Sequence, residues 1–192
     1  MGTDIPWSTH VIESALQSLG RRALLEVLRE GIQPSRMRSL LAPYKLPSSG
    51  ALEALYSWHD GTRTTGCTTV DDLHMFPGFY MLSLEDALAD YQAFFGDSRW
   101  DSGWLPVFAN GGGDFYVVDL NASQQGAVRH FRIEESVHPV EFLTLSDMLR
   151  TIAAGFERGL FFVDAGGYLE MDDIEFAALA ADLNPAVGWW TE

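Results

Sequence analysis

Two apolar runs, 104–109 (Trp-Leu-Pro-Val-Phe-Ala) and 115–120 (Phe-Tyr-Val-Val-Asp-Leu), are separated only by Asn110-Gly111-Gly112-Gly113-Asp114. Glycine adopts backbone angles closed to other residues, so this spacer reverses the chain at once and commits the two runs to an antiparallel hairpin. The triple glycine is not a phosphate cradle. It lacks the GxGxxG spacing, precedes a strand rather than a helix, and is followed by Asp114 and Asp119, which repel phosphate. Residues 79–82, 126–133 and 140–143 read as further short strands around this hairpin.

Helical patterns surround the strands. Ser8 or Thr9 caps a helix carrying Val11, Ile12, Ala15, Leu16 and Leu19 at helical spacing, and a second helix over 21–30 stops at Gly31. Pro34 opens a short helix to residue 41. Ser48-Ser49 caps one bearing Leu52, Leu55 and Tyr56, which ends near Trp58 and is closed by His59-Asp60-Gly61. Residues 62–75, rich in Thr, Gly and Asp, have no period and read as an irregular surface loop. Ser83 with Asp86 starts a helix to about residue 95, and Thr144 with Asp147 starts one whose stripe is Leu145, Met148, Leu149, Ile152, Ala153 and Phe156. A last helix spans 172–183. Helices, then a meander of strands, then helices predict a single α+β domain, an antiparallel β-sheet flanked by helices. At 192 residues such a chain buries roughly 70% of its unfolded surface and needs no disulfide or metal staple.

Charge narrows the function. Twelve Lys and Arg face 27 Asp and Glu, a formal net charge of -15. Residues 1–47 hold six basic and four acidic side chains, so residues 48–192 hold 6 against 23. Such a polyanion repels nucleic acid and anionic membrane, which excludes both as partners, and it either speeds encounter with a basic protein or serves simply to keep the protein in solution. No apolar run has the length of a membrane helix, and the first residues lack an export signal, so a cytoplasmic location is expected. The single cysteine, Cys67, and the five scattered histidines form no metal-ligand pattern, and nothing around Cys67 marks an activated nucleophile. No cofactor, metal or catalytic residue is expected. The Asn121-Ala122-Ser123 sequon has no role in a cytosolic chain. The adjacent indoles Trp189-Trp190 either lock the last segment onto the domain or join an interface, and packing is the expectation. Asp71-Asp72, Glu134-Glu135 and Asp172-Asp173-Ile174-Glu175 are each solvated faces or caps that together supply material for a binding surface.

Leu46-Pro47, then Leu52-Glu53-Ala54-Leu55-Tyr56-Ser57-Trp58-His59-Asp60-Gly61, resembles the signature of the Smi/Knr family of the SUKH superfamily, with Asp60 where an asparagine is usual. Residues 76–87 (Phe-Pro-Gly-Phe-Tyr-Met-Leu-Ser-Leu-Glu-Asp-Ala) are similar to that family's next block, and the hairpin around residues 110–114 to its central one. The resemblance covers roughly residues 31–160, leaving 1–30 as an N-terminal helical extension and 161–192 as a C-terminal helical extension packed on the domain. It implies an α+β fold without catalytic activity, and a binding role. Fungal relatives regulate cell-wall assembly, and bacterial relatives are largely immunity proteins that neutralise toxins, often nucleases. The expectation is therefore a cytoplasmic immunity protein that binds a basic toxin domain, its partner surface combining the 62–75 loop (Asp71, Asp72) with Asp97, Asp101, Glu134 and Glu135. The alternative is a regulatory or scaffold protein of the cell-wall type that binds endogenous partners.

Overall fold

Helix α1 (Ile5–Ser18) opens the chain in the computed structural model, which describes residues 5–65, 69–121, 123 and 126–191. There follow α2 (Arg22–Val27), β1 (Leu28–Glu30), α3 (Pro34–Leu41), α4 (Gly50–Trp58), β2 (His59–Thr62), β3 (Tyr80–Met81), α5 (Leu84–Phe94), β4 (Trp104–Ala109), β5 (Phe115–Asp119), β6 (Ala127–Phe131), β7 (Val140–Phe142) and α6 (Leu145–Glu157). The chain ends in β8 (Phe161–Val163), β9 (Leu169–Met171), α7 (Asp173–Leu183) and a 3-10 turn at Gly188–Trp190. Strands β3 to β7 form one antiparallel sheet in chain order. This is the α+β meander expected from the turn chemistry.

The predicted helix starts hold because each leading side chain accepts an otherwise unpaired amide: Ser49 from Leu52, Ser83 from Asp86, Thr144 from Asp147 and Asp172 from Glu175. The first helix differs. It begins at Ile5, so Ser8 and Thr9 lie inside it and are buried, and Thr9 Oγ1 donates back to the Ile5 carbonyl at 3.1 Å.

Where β5 and β6 face each other, Phe115 lies opposite Phe131 and Tyr116 opposite His130. The Phe115–Phe131 face is covered by Phe94 of α5 and by Trp100, whose rings meet those phenylalanines edge-on. The other face, with Phe108, Tyr116, Val128 and Phe142, turns toward α6, whose expected apolar stripe is buried. Helix α1 packs on α6 and α4, so the N-terminal segment is docked on the domain. Burying one such large side chain stabilises the fold by roughly 1.5–3 kcal/mol, which accounts for the dense aromatic layer at this junction.

Three expectations are corrected. The helix expected over 21–30 ends at Val27, because Leu28 and Glu30 pair with Thr62 and His59 as a strand. The residues expected only to close a helix, His59-Asp60-Gly61, are therefore β2. Gly61 is required there: its φ is +74°, and a Cβ would sit 2.1 Å from the Ser83 nitrogen. Finally, the C-terminal extension is not wholly helical. Residues 161–171 make the β8–β9 hairpin, with Phe162 opposite Glu170, and this short exposed hairpin carries too little alternation to be read from sequence. It lies close against α6, where a Cβ on Gly155 would come 2.9 Å from the Phe161 ring.

Candidate protein-binding surface

The carboxylates expected to form a partner surface divide into separate neighbourhoods. Asp71 sits in the 3-10 turn Asp71–Leu73, where its carboxylate takes Arg21 at 3.0 Å with both side chains largely buried. Arg21 also donates to the Asp71 carbonyl and to that of Gly167, and the Leu169 amide donates to Asp71 Oδ1 at 3.3 Å. Burial holds the His74 imidazole below its usual range, so at neutral pH it is uncharged and its Nδ1 donates to Asp71 at 3.1 Å. Asp71 is thus a clamp between the N-terminal helices and the C-terminal hairpin. Asp72 is half-buried and accepts from the Thr69 amide at 2.9 Å. The middle of that loop, including Cys67, lies outside the described residues.

Asp97 grips the Arg99 guanidinium with both oxygens, at 2.7 and 3.0 Å. Those bonds hold its carboxyl down to about 2. Arg99 also donates to the Ile133 and Glu135 carbonyls, so Asp97 and the 134–135 turn do meet, with an arginine between them. Glu135 pairs with Arg132 at 3.6 Å, and Glu134 is exposed. Asp101, exposed, is held below the usual carboxylate range by hydrogen bonds from the Asn121 amide group and the Gly103 nitrogen. Ala122 of the sequon lies outside the described residues. Of the six, Glu134 comes nearest to free negative charge.

Arginine pairing extends through the first 160 residues. Arg21, Arg29, Arg36, Arg38, Arg99, Arg129, Arg132 and Arg150 each meet a carboxylate within 4.0 Å. Residues 161–191 contain neither Lys nor Arg, yet hold Asp164, Glu170, Asp172, Asp173, Glu175 and Asp182, all exposed. The same segment exposes Phe162, Tyr168, Ile174 and Trp189, Ile174 to 81%. Asp172, Asp173 and Glu175, read from the sequence as a solvated face or helix cap that could contribute to a binding surface, lie in a stretch with no Lys or Arg of its own, and that is the sequence signal that sets them apart.

This segment roofs a cleft beside α6 on the Tyr116–Phe142 face of the sheet. Phe79, Tyr116 and Phe142 form its floor, Met148 and Ile152 of α6 one side, and Phe176, Trp189 and Trp190 its outer wall. At its base the buried Glu141 carboxylate accepts from Arg132 at 2.9 Å and from the Tyr116 hydroxyl at 3.0 Å, with His130 Nδ1 3.3 Å away. Burial and the adjacent carboxylate push the Tyr116 phenol well up, so it remains a neutral donor. Trp190 Nε1 donates to the Glu141 carbonyl at 2.5 Å and its ring packs on Phe142. Trp190 thus locks the chain end to the domain, as expected, while Trp189 stays half-exposed beneath the Arg132 guanidinium, 4.9 Å from the ring centre.

With its lone pairs engaged by protein donors, Glu141 is a structural anion rather than a base waiting for substrate. Among the described residues, no group of three or more His, Cys, Asp and Glu is arranged to hold a metal ion, and no helix is long and apolar enough to cross a membrane. The arrangement offers surface complementarity: an apolar cleft with an acidic margin. The model of the SMI1/KNR4 family (SUKH-1) matches residues 41–160, well over half of the chain, from the end of α3 to the end of α6. No curated protein matches the sequence.

Proposed function

We propose that the chain, which belongs to the SMI1/KNR4 family (SUKH-1), is a non-enzymatic cytoplasmic immunity protein that neutralises a basic, nucleic-acid-degrading toxin by binding it through acidic surface. The family includes immunity proteins and its members are generally non-catalytic. The observation that carries the reading is the uncompensated charge: a net -15 in which eight arginines are already neutralised by near carboxylates. A nuclease must present positive charge to hold phosphate, so a surface of fixed carboxylates competes for that site and speeds the encounter.

The test is to purify the toxin domain encoded beside this gene and titrate the protein against it at low and high salt. Binding at about nanomolar Kd that weakens as salt rises, with loss of nuclease activity, is the expected result. A toxin that keeps full activity at saturating protein would sink the proposal. Recovery instead of a defined endogenous partner, with affinity insensitive to salt, would move the protein to the regulatory or scaffold class.

A further inference from the structure

We propose that the cleft between the main sheet and the C-terminal segment is the anchor pocket of the partner interface, accepting one phenylalanine- or leucine-sized side chain from a lysine- and arginine-bearing stretch of the bound protein. The proposal rests on the protein-binding reading above and deepens it by naming the surface and the chemistry of the segment that occupies it.

Size is the first argument. The cleft encloses about 240 Å³, below the roughly 300–1,000 Å³ of sites that bury a whole small ligand. It suits a single large side chain. Polarity is the second. Glu141, Arg132 and Tyr116 at its base satisfy one another, His130 Nε2 beside them is buried without a hydrogen-bond partner among the described residues, and the remaining walls are aromatic and aliphatic, so an incoming group meets mainly apolar contact. Such pockets, desolvated by one aliphatic or aromatic anchor, concentrate binding energy at protein interfaces.

Charge selects the occupant. Asp173 stands at the cleft, and Glu170, Asp172 and Glu175 are exposed in the same short stretch, with no Lys or Arg anywhere in 161–191. Arg132, the cation at the cleft, is paired with Glu141 and Glu135. A second copy of this chain at -15 is repelled, as is an anionic lipid surface, whereas a cationic segment is drawn in. Trp189, which lines the cleft, remains exposed, and Phe162 and Ile174 are exposed in the same segment; apolar side chains rimmed by charge mark contact surfaces. The wall lies beyond residue 160, outside the span matched by the family, so the pocket is completed by what this chain adds to the common domain.

The experiment uses the full chain and three synthetic peptides: KRKFKRK, KRKAKRK and EDEFEDE. Binding is followed by calorimetry and by amide shifts, neither of which depends on any toxin. KRKFKRK is expected to bind one to one, weakening as salt rises; KRKAKRK is expected to bind about tenfold more weakly, and EDEFEDE not at all. Asp173→Lys with Glu175→Lys should weaken KRKFKRK by about tenfold, and Asp173→Asn with Glu175→Gln by an intermediate amount, both with unchanged circular dichroism. Glu26→Lys should leave affinity within about twofold, because it reverses a charge at an exposed position that does not line the cleft. No binding of KRKFKRK up to roughly 1 mM, equal binding of KRKAKRK, or an equal loss in Glu26→Lys would each overturn the pocket. A positive peptide result with a toxin left active would keep the pocket and remove the immunity reading. The reverse pattern would keep the immunity reading and remove the pocket.

Discussion

The carboxylates at 71, 97 and 135 and those at 164–182 look alike in a linear sequence, yet the structure uses them in opposite ways. The first set is engaged by Arg21, Arg99 and Arg132. The second has no arginine or lysine in its own segment and faces solvent. A carboxylate held by an arginine contributes internal cohesion and little external field, whereas an unpaired exposed one contributes field and little cohesion. Acidic composition therefore measures potential for binding only after the pairs have been removed.

The sharpest way to break this contrast is at Asp71. Replacing it with alanine leaves the Arg21 guanidinium largely buried without its carboxylate, and the expected loss is about 3–5 kcal/mol in a urea-unfolding experiment. A loss below about 0.5 kcal/mol would place Asp71 with the surface acids instead. Glu141→Gln should destabilise by a smaller amount, about 1–3 kcal/mol, since the amide retains one acceptor for Tyr116 or Arg132 but presents donors where the carboxylate accepted.

Asp60 tests an acid with the opposite bias. Its carboxylate accepts from the Leu84 amide at the start of α5 at 2.9 Å, but burial, the largest influence, pushes its pKa up. A raised carboxyl means that ionisation costs folding stability as pH rises through the ordinary carboxylate range, near 4. Asp60→Asn keeps a carbonyl acceptor and removes that cost, so its melting temperature should equal or exceed that of the parent at pH 7 and lose the advantage at pH 3. A variant less stable than the parent at pH 7 contradicts this.

Asp97 has the reverse sign. Its carboxyl is held down to about 2 by Arg99, so its contribution is complete above the unfolded value near 4 and disappears as pH falls through about 2. Carboxyl chemical shifts should report that titration directly, and Arg99→Gln should return it to the ordinary range. The smallest effect belongs to the free set: Glu170→Gln with Asp182→Asn should change unfolding stability by no more than about 0.5 kcal/mol while slowing association with a basic partner at low salt.

Much of the fold was legible because its signals are local. The glycine spacer at 111–113, the caps at Ser49, Ser83, Thr144 and Asp172, and the stripe on α6 each act over four or five residues, and a local hydrogen bond or a periodic apolar face forms wherever that pattern occurs. The misreadings cluster where a distant partner decides. Residues 28–30 become a strand only because 59–62 lie beside them, and residues 161–171 form a hairpin packed against α6 at Gly155. The candidate surface was less legible still. Which acid meets which arginine depends on separations such as the 50 residues between Arg21 and Asp71, and no local pattern encodes them.

From the sequence alone come the α+β class, the order of the five strands in the main sheet, the family resemblance and the sign and excess of charge, since these follow from short-range turn chemistry, periodicity, recognisable motifs and simple counting. Tertiary structure alone decided which carboxylates are spent on arginines, that Glu141 is buried beneath Tyr116 and Trp190, and that an apolar cleft opens beside the unpaired acids of the C-terminal segment. Charge and apolarity belong to residues, but pairing and concavity belong to distances, and distances across the chain exist only once it has folded.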